Sequence, residues 1–253
     1  MDETITNQEQ NKNNNKKISK SLLAEYIVFG ITLACFIFTP IYYLCTSLGT
    51  DGFLLGILQR LGMIVLIFLP MIIERIFKIK FPAFFNISLY VFFIFAVFIG
   101  TFMDIYSVFR HWDSILHGSS AVLFGLLSMC LVCVWFKNND DISPIFLLIF
   151  AFCFSLAIEA VWEIYEYTVD AIIVGYNAQR YIENGVELVG RAALYDTMKD
   201  IILGASGALI AGITCAICQK KNKNFLRAFE IKRTNKKQTV KNENMENKEN
   251  SLS

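Results

Sequence analysis

The chain has 253 residues, of which 55% are apolar, 14% aromatic and 18% charged. A soluble globular domain carries roughly 25% charged residues, so this composition excludes an ordinary soluble enzyme. The net charge of +1 is the balance of two basic ends and an acidic middle, and by itself it excludes no class of partner.

The two ends of the chain, residues 1–20 and 219–253, are polar and together hold 14 of the 23 Lys and Arg. Such segments bury too little apolar surface to offset the entropy cost of ordering, so we predict two disordered cytoplasmic tails. Their lysines alternate with Asn and Glu and carry almost no stacking aromatics, which argues against nucleic-acid binding. The predicted partner is the lipid bilayer, and the sequence identifies no protein partner.

Between the tails, six apolar stretches are each long enough, at about 20 residues, to cross a hydrocarbon core of roughly 30 Å as a helix. We predict spans near residues 22–44, 53–73, 84–109, 115–136, 144–167 and 197–218. The predicted fold is therefore all-α, a polytopic membrane domain of six transmembrane helices over residues 21–218.

Basic residues in short loops indicate the orientation, because they gather on the cytoplasmic side of a membrane. Lys20 precedes the first span, Arg75 and Lys78 follow the second, and Lys220 follows the sixth. We therefore predict a multi-pass protein of the cytoplasmic membrane with both termini inside and an extracytoplasmic loop over residues 168–196. Eleven of the fifteen acids of the membrane domain then lie on the outer side.

Spans two and three supply a first pair of candidates. Arg60 and Asp104 both lie too deep in their predicted spans to be left unpaired. Either they form a structural ion pair, or Arg60 binds a phosphate or carboxylate group of a substrate through its planar guanidinium. Asp104 is also a secondary site candidate, and His111, at the next boundary, is either another or an interface anchor.

The strongest pattern lies at the ends of spans four to six. Asp113 and His117 are four residues apart and share a helix face. Span five carries a stripe of acids at spacings of four, three and four, and span six begins with two further acids. The stripe comprises Glu159, Glu163, Glu166 and Asp170, and the pair comprises Asp196 and Asp200. Ionised acids are costly in hydrocarbon, so the stripe faces the bundle interior, binds a cation or is partly protonated.

One histidine among several carboxylates suits a divalent metal ion, namely Zn²⁺, Mn²⁺ or Mg²⁺. Water bound to such an ion becomes a nucleophile for hydrolysis or transfer on a lipid-linked or cell-envelope substrate. We predict metal ligands at Asp113, His117, Asp196 and Asp200, catalytic carboxylates at Glu163 and Glu166, and a secondary role for Glu159.

Two other functions fit the same residues. In a cation- or proton-coupled transporter, the stripe of span five titrates during transport. In a non-catalytic membrane scaffold or resistance factor, the polar cluster only holds the helices together, and its acids pair with cations such as Lys199, Arg180 and Arg191. No phosphate-binding loop, dinucleotide fingerprint or nucleophile elbow is present to favour another enzyme class.

Three patches occur in a set order along spans three to six. They read Trp112-Asp113-Ser-Ile-Leu-His117, then Glu163-Ile-Tyr-Glu166-Tyr167, then Asp196-Thr197-Met-Lys-Asp200 followed by Gly204 and Gly207. This order resembles the YjdF-like bacterial integral membrane proteins, a family of unknown function, and is more distantly similar to VanZ-like envelope proteins. The resemblance implies that the acids and the histidine of the three patches belong to one shared site, and it implies no reaction.

Overall fold

The computed structural model describes residues 2–49, 53–136, 141–173 and 177–233, without the side chains of residues 2–19, 55, 232 and 233. It is mostly helical (80%). The helices are α1 (Asp2–Ser47), α2 (Phe53–Ile67), α3 (Leu69–Phe77), α4 (Ala83–Phe93), α5 (Ile105–Val108), α6 (Trp112–Trp135), α7 (Pro144–Ile172) and α8 (Tyr195–Lys221), with a π-helix over Ile94–Phe102 and a 3₁₀ helix over Phe225–Phe229. Two small antiparallel sheets pair β1 (Ile79–Lys80) with β4 (Lys232–Arg233) and β2 (Ile182–Glu183) with β3 (Val186–Glu187).

Five segments of the described chain are long and apolar enough to cross a membrane. They are Lys20–Ser47, Ala83–Phe102, Trp112–Trp135, Pro144–Ile172 and Tyr195–Lys221. The span predicted near residues 53–73 is instead a bent pair, Gly56–Ile67 and Leu69–Phe77, with 45° between its halves. Pro70 in the first turn of α3 explains the break, because proline cannot donate the helical hydrogen bond. The described residues thus contain five candidate spans, or six when the bent pair is one span.

Two predicted span boundaries are wrong in informative ways. The third span ends at Phe102 rather than near residue 109, because Asp104 has a left-handed backbone (φ 57°) that interrupts the helix. The fifth continues to Ile172, so the loop predicted over residues 168–196 begins only after this residue and Asp170 is helical.

At the N-terminal end of the chain, α1 extends back to Asp2 where we predicted a disordered tail; its Glu, Gln and Lys residues favour helix.

The helices pack as two groups. In the first group, α1, α2 and α4 meet around the buried side chains of Phe36, Ile67, Tyr90 and Phe93. The second group consists of α6, α7 and α8, which are in extensive mutual contact. Its glycines permit this closeness, since a Cβ at Gly212 would come within 2.7 Å of the carbonyl oxygen of Leu148 in α7. Small residues let neighbouring membrane helices approach in this way.

The segment after α8 departs from the disordered tail predicted for residues 219–253. The 3₁₀ helix buries Leu226 and Phe229 against α6, and Cys133 of α6 donates its thiol to the Leu226 carbonyl at 3.3 Å. Phe229 also packs edge-on against Phe84 of α4, with ring centroids 5.3 Å apart. The apolar side chains of this short segment explain its order. Residues 234–253, the remainder of the predicted tail, lie outside the described residues.

A polar cluster joins the first group of helices to the β1 strand. Glu74 of α3 is buried and accepts hydrogen bonds from Lys80 Nζ (2.6 Å), the Phe81 amide (2.9 Å) and Asn86 Nδ2 (3.2 Å). The same Asn86 nitrogen donates to Glu25 of α1 at 2.8 Å. Burial lowers the pKa of Lys80, but the hydrogen bond and charge of Glu74 raise this pKa by more, so the ammonium stays charged.

Candidate metal centre

His117 is held by a carboxylate from the neighbouring helix. Its Nδ1 lies 2.9 Å from Glu159 Oε2, and Ser120, one turn further along α6, donates to Glu159 Oε1 at 2.6 Å. All three side chains are buried. Since an ionised carboxylate only accepts, a neutral His117 facing Glu159 carries its proton on Nδ1 and its lone pair on Nε2, on the other side of the ring.

Two further carboxylates converge on the available ring nitrogen. Asp113 Oδ1 lies 3.8 Å and Glu163 Oε1 lies 3.7 Å from His117 Nε2. Both distances are too long for hydrogen bonds. They suit atoms that share one ion, since ligands about 2.0–2.2 Å from a tetrahedral metal lie between 3 and 4 Å apart.

Two groups of three side chains have ligand atoms within 4.8 Å of one another, and both contain His117. One group is Asp113, His117 and Asp200, and the other is His117, Glu163 and Glu166. The helices α6, α7 and α8 therefore each contribute at least one of these side chains. Glu166 is half-buried and accepts a hydrogen bond at 2.9 Å from Nε1 of Trp162, whose side chain is exposed.

Several carboxylate oxygens of this cluster lack a well-placed donor. Both oxygens of Glu163 and Oδ1 of Asp200 are buried, and none accepts a hydrogen bond of normal geometry from the described residues; the Thr197 hydroxyl interacts only weakly with Glu163. A buried carboxylate without donors is strongly destabilising unless it is protonated or bound to a cation. The arrangement therefore calls either for a proton on these carboxylates or for a cation between α6, α7 and α8.

Asp196 belongs to a different network from the ligand groups. Lys199 Nζ lies 2.6 Å from Asp196 Oδ1 and 3.5 Å from Asp200 Oδ2, while Arg180 Nε lies 3.9 Å from Asp196 Oδ2. The pairing of acids with Lys199 and Arg180 that we considered for the scaffold is thus present. These two cations form ion pairs with Asp196 and with one oxygen of Asp200, and neither forms one with Glu163.

Asp170, the last acid of the stripe, fastens the outer loop instead of joining the cluster. Its two oxygens accept the amides of Ala178 (2.8 Å) and Gln179 (3.0 Å), and Gln179 in turn donates to Thr197 Oγ1 of α8 at 3.0 Å. These bonds hold the loop before the β2–β3 hairpin against the ends of α7 and α8.

Replacement of Asp170 by Ala is therefore expected to loosen this loop without unfolding the helices. Hydrogen bonds to a charged acceptor contribute about 1.5–3 kcal/mol each, so amide exchange between residues 177 and 194 should accelerate by about 100-fold. Hydrogen exchange followed by mass spectrometry measures this change. The matched control is Glu187→Ala in the exposed hairpin strand, and equal exchange in both variants would contradict the anchoring role.

The remaining predicted candidates lie elsewhere. Arg60 stacks on Tyr43 of α1 (Cζ 3.7 Å from the ring centroid) and donates to the Gly56 carbonyl at 2.9 Å. Asp104 is exposed and accepts from Ser107 at 2.5 Å, and among the described residues no ion pair joins it to Arg60. His111 is exposed, packs edge-on against Phe109 and does not reach the cluster.

Two functional features of the cluster escaped the sequence prediction. Glu159 was assigned a secondary role, whereas the structure makes it the partner that orients His117. Asp170 was grouped with the stripe, whereas it binds loop amides. The three-residue spacing of His117 and Ser120 was a readable signal for the first feature, because it places both on the face that meets Glu159.

Comparison with known proteins gives one match. A family model described as "Predicted membrane protein (DUF2238)" covers residues 25–221, which include all three helices of the cluster and also the first helical group. This match confirms the resemblance to a YjdF-like family of unknown function and extends it beyond spans three to six. No curated protein and no solved structure matches the chain.

Proposed function

We propose that this chain, which belongs to the DUF2238 family of predicted membrane proteins, binds a divalent metal ion between α6, α7 and α8. The observation that carries the proposal is the convergence of Asp113 and Glu163 on Nε2 of His117, with both Glu163 oxygens buried and without a hydrogen bond of normal geometry among the described residues. A cation at this point would satisfy all three groups at once.

The proposed ligands are His117 Nε2, Asp113 and Glu163, with Asp200 as the fourth. This set differs from the predicted one by exchanging Asp196, which is paired with Lys199, for Glu163. One imidazole and three carboxylates favour Zn²⁺ or Mn²⁺, and Mg²⁺ is compatible with the oxygen ligands. Glu159 is hydrogen-bonded to Nδ1 of His117, the ring nitrogen that does not bind the metal, and metal-binding histidines commonly have such a carboxylate partner.

The proposed reaction is hydrolysis or transfer on a lipid-linked or cell-envelope substrate. A bound divalent ion lowers the pKa of a water molecule and polarises the group that is attacked. Glu166 is the proposed general base, because it lies beside the ligands and is half-buried. It is also hydrogen-bonded to Trp162, whose exposed side chain faces the surroundings of α7. Trp162 is 49% exposed on α7, so an amphipathic substrate has a direct approach from the membrane.

The proposed location is the cytoplasmic membrane, with both termini inside and the cluster at the outer face. The start of α6, the end of α7 and the start of α8 all carry cluster residues, whereas the last turn of α8 carries Lys220 and Lys221. Basic residues mark the cytoplasmic side. A substrate of the outer leaflet or the envelope is consistent with this orientation.

One observation favours a second candidate function. The buried Glu163 side chain accepts no hydrogen bond of normal geometry, and it is stable without a metal if it carries a proton. A buried acid that exchanges protons is the central element of a proton-coupled transporter. In proteoliposomes, transport driven by a pH gradient and abolished by Glu163→Gln would support this function. A scaffold role predicts neither metal binding nor flux.

The deciding experiment is the metal content of the detergent-purified protein by plasma mass spectrometry, followed by titration with Zn²⁺, Mn²⁺ and Mg²⁺ separately. We expect close to one tightly held ion per chain and a rise in melting temperature with the preferred ion. A protein that remains metal-free and gains no thermal stability from any of the three ions would overturn the proposal.

A further inference from the structure

A cleft of about 440 Å³ separates the two groups of helices. One wall is formed by Val91 and Phe92 of α4 with Phe95 of the π-helix, and the other by the face of α6 that includes Ile115 and Val122. This face lies on the opposite side of α6 from His117. Both walls belong to candidate membrane spans, so the cleft lies within the depth of the bilayer.

The cleft has the length and surface of a hydrocarbon site. Along α6 it runs from Trp112 to Leu126, about 21 Å at the rise of an α-helix, against roughly 15 Å for half of the hydrocarbon core. Its two serines are already bonded to their own helices, Ser88 to the Phe84 carbonyl (2.8 Å) and Ser119 to the Leu116 carbonyl (3.1 Å). The walls therefore offer apolar contact and no spare hydroxyl.

One end of the cleft differs from the rest. Trp112 lines this end and stacks on Phe95 with centroids 5.9 Å apart, and its Nε1 is buried without a hydrogen-bond partner among the described residues. Gly100 lies beside this nitrogen, since a Cβ there would come within 3.1 Å of it. Trp112 is the first residue of its candidate span, and tryptophan at a span boundary lies at the level of the lipid headgroups, so this end of the cleft is its headgroup end.

We propose that this cleft binds one acyl chain of a diacyl phospholipid, with an ester carbonyl of the lipid near Trp112. Water does not fill an apolar cleft that is open to hydrocarbon, and the cleft volume is in the range of ordinary ligand sites. A bound lipid fills the gap between the two helical groups, with its polar end at the span boundary that Trp112 marks. The bound headgroup then lies one residue from Asp113, at the edge of the cluster.

The cleft is lipid-binding whether or not the cluster holds a metal, so its test needs no metal. The probe is a phosphatidylglycerol that carries a photoactivatable diazirine on its acyl chain, mixed into phosphatidylcholine vesicles with the purified protein. After irradiation, peptide mass spectrometry locates the labelled residues. We expect labelling to concentrate on the α4 and α6 residues of the cleft.

Val122→Trp fills the cleft and is expected to reduce this labelling by about tenfold. The control is Ile149→Trp, a substitution of equal size on α7 at a side chain that is 54% exposed, which should leave the cleft labelling unchanged. Melting curves show whether both variants fold.

Two outcomes would overturn the proposal. Labelling spread over all exposed apolar residues, with no excess in the cleft and no effect of Val122→Trp, would mean that only ordinary boundary lipid covers this face. A protein that is oligomeric in detergent, and that Val122→Trp makes monomeric, would mean that a second copy occupies the cleft.

Discussion

His117→Ala is expected to lower the affinity for the divalent ion by about 100-fold or more and to remove the thermal stabilisation by that ion. The substitution deletes the one imidazole that both ligand groups share, and it leaves Glu159 with only the Ser120 hydroxyl. Isothermal titration of the detergent-solubilised protein measures the affinity, and the melting temperature with and without the ion measures the linkage.

The chain provides its own control for this experiment, because it has only two histidines. His111→Ala removes the other one, which is exposed and belongs to neither ligand group, and should bind the ion as the wild type does. Glu159→Gln should fall between the two, with about 10–100-fold weaker binding, since it alters only the partner of the histidine. Equal affinity in His117→Ala and wild type would show that the ion does not use the histidine.

Gly207→Ala is expected to destabilise the second helical group and to disable the cluster at the same time. A Cβ at this position would overlap the carbonyl oxygen of Gly118 and come within 3.1 Å of Ala121 Cβ. Backbone cannot move aside as a flexible side chain does, so α8 must shift away from α6, at a cost of about 1–3 kcal/mol or more. Asp200, two turns earlier on α8, then moves relative to His117.

Gly118→Ala is the matched control, because a Cβ there meets no heavy atom within 4 Å. It lies on the facing helix and makes the same chemical change. A thiol-reactive dye reports unfolding of both variants through Cys130 and Cys215, which are fully buried in this helical group. If Gly207→Ala melts at the wild-type temperature, the close contact of α6 and α8 is not required for stability.

The apolar stretches and the acidic stripe were readable from the sequence because both depend on local spacing. Hydropathy alone marks a span, and spacings of four and three place Glu159, Glu163 and Glu166 on one face whatever lies opposite. Whether Glu159 or Glu163 meets His117 depends on how α7 is rotated against α6, and Glu159 also packs closely against α8 at Gly204. No single-helix pattern contains this information.

Other differences had local signals that the prediction did not use. Pro70 stands within the second apolar stretch and marks the bend between α2 and α3. In the basic tail, Phe225 and Phe229 are four residues apart, which predicts an apolar face on a short helix. The ion pair between Arg60 and Asp104 was one of two alternatives and rested on their similar depth in two spans; it is not formed, because the helix ends before Asp104.

The order of synthesis matters for the segment that follows α8. Leu226 and Phe229 pack against α6 and α4, and β4 pairs with β1 in the register Ile79↔Arg233 and Lys80↔Lys232. These residues are among the last of the membrane domain to leave the ribosome, so the two helical groups are inserted before the segment that fastens them together exists. Assembly of the domain is therefore completed only after translation has passed Arg233. A nascent chain that stalls before Leu226 already contains all the candidate spans but lacks the segment that contacts both helical groups.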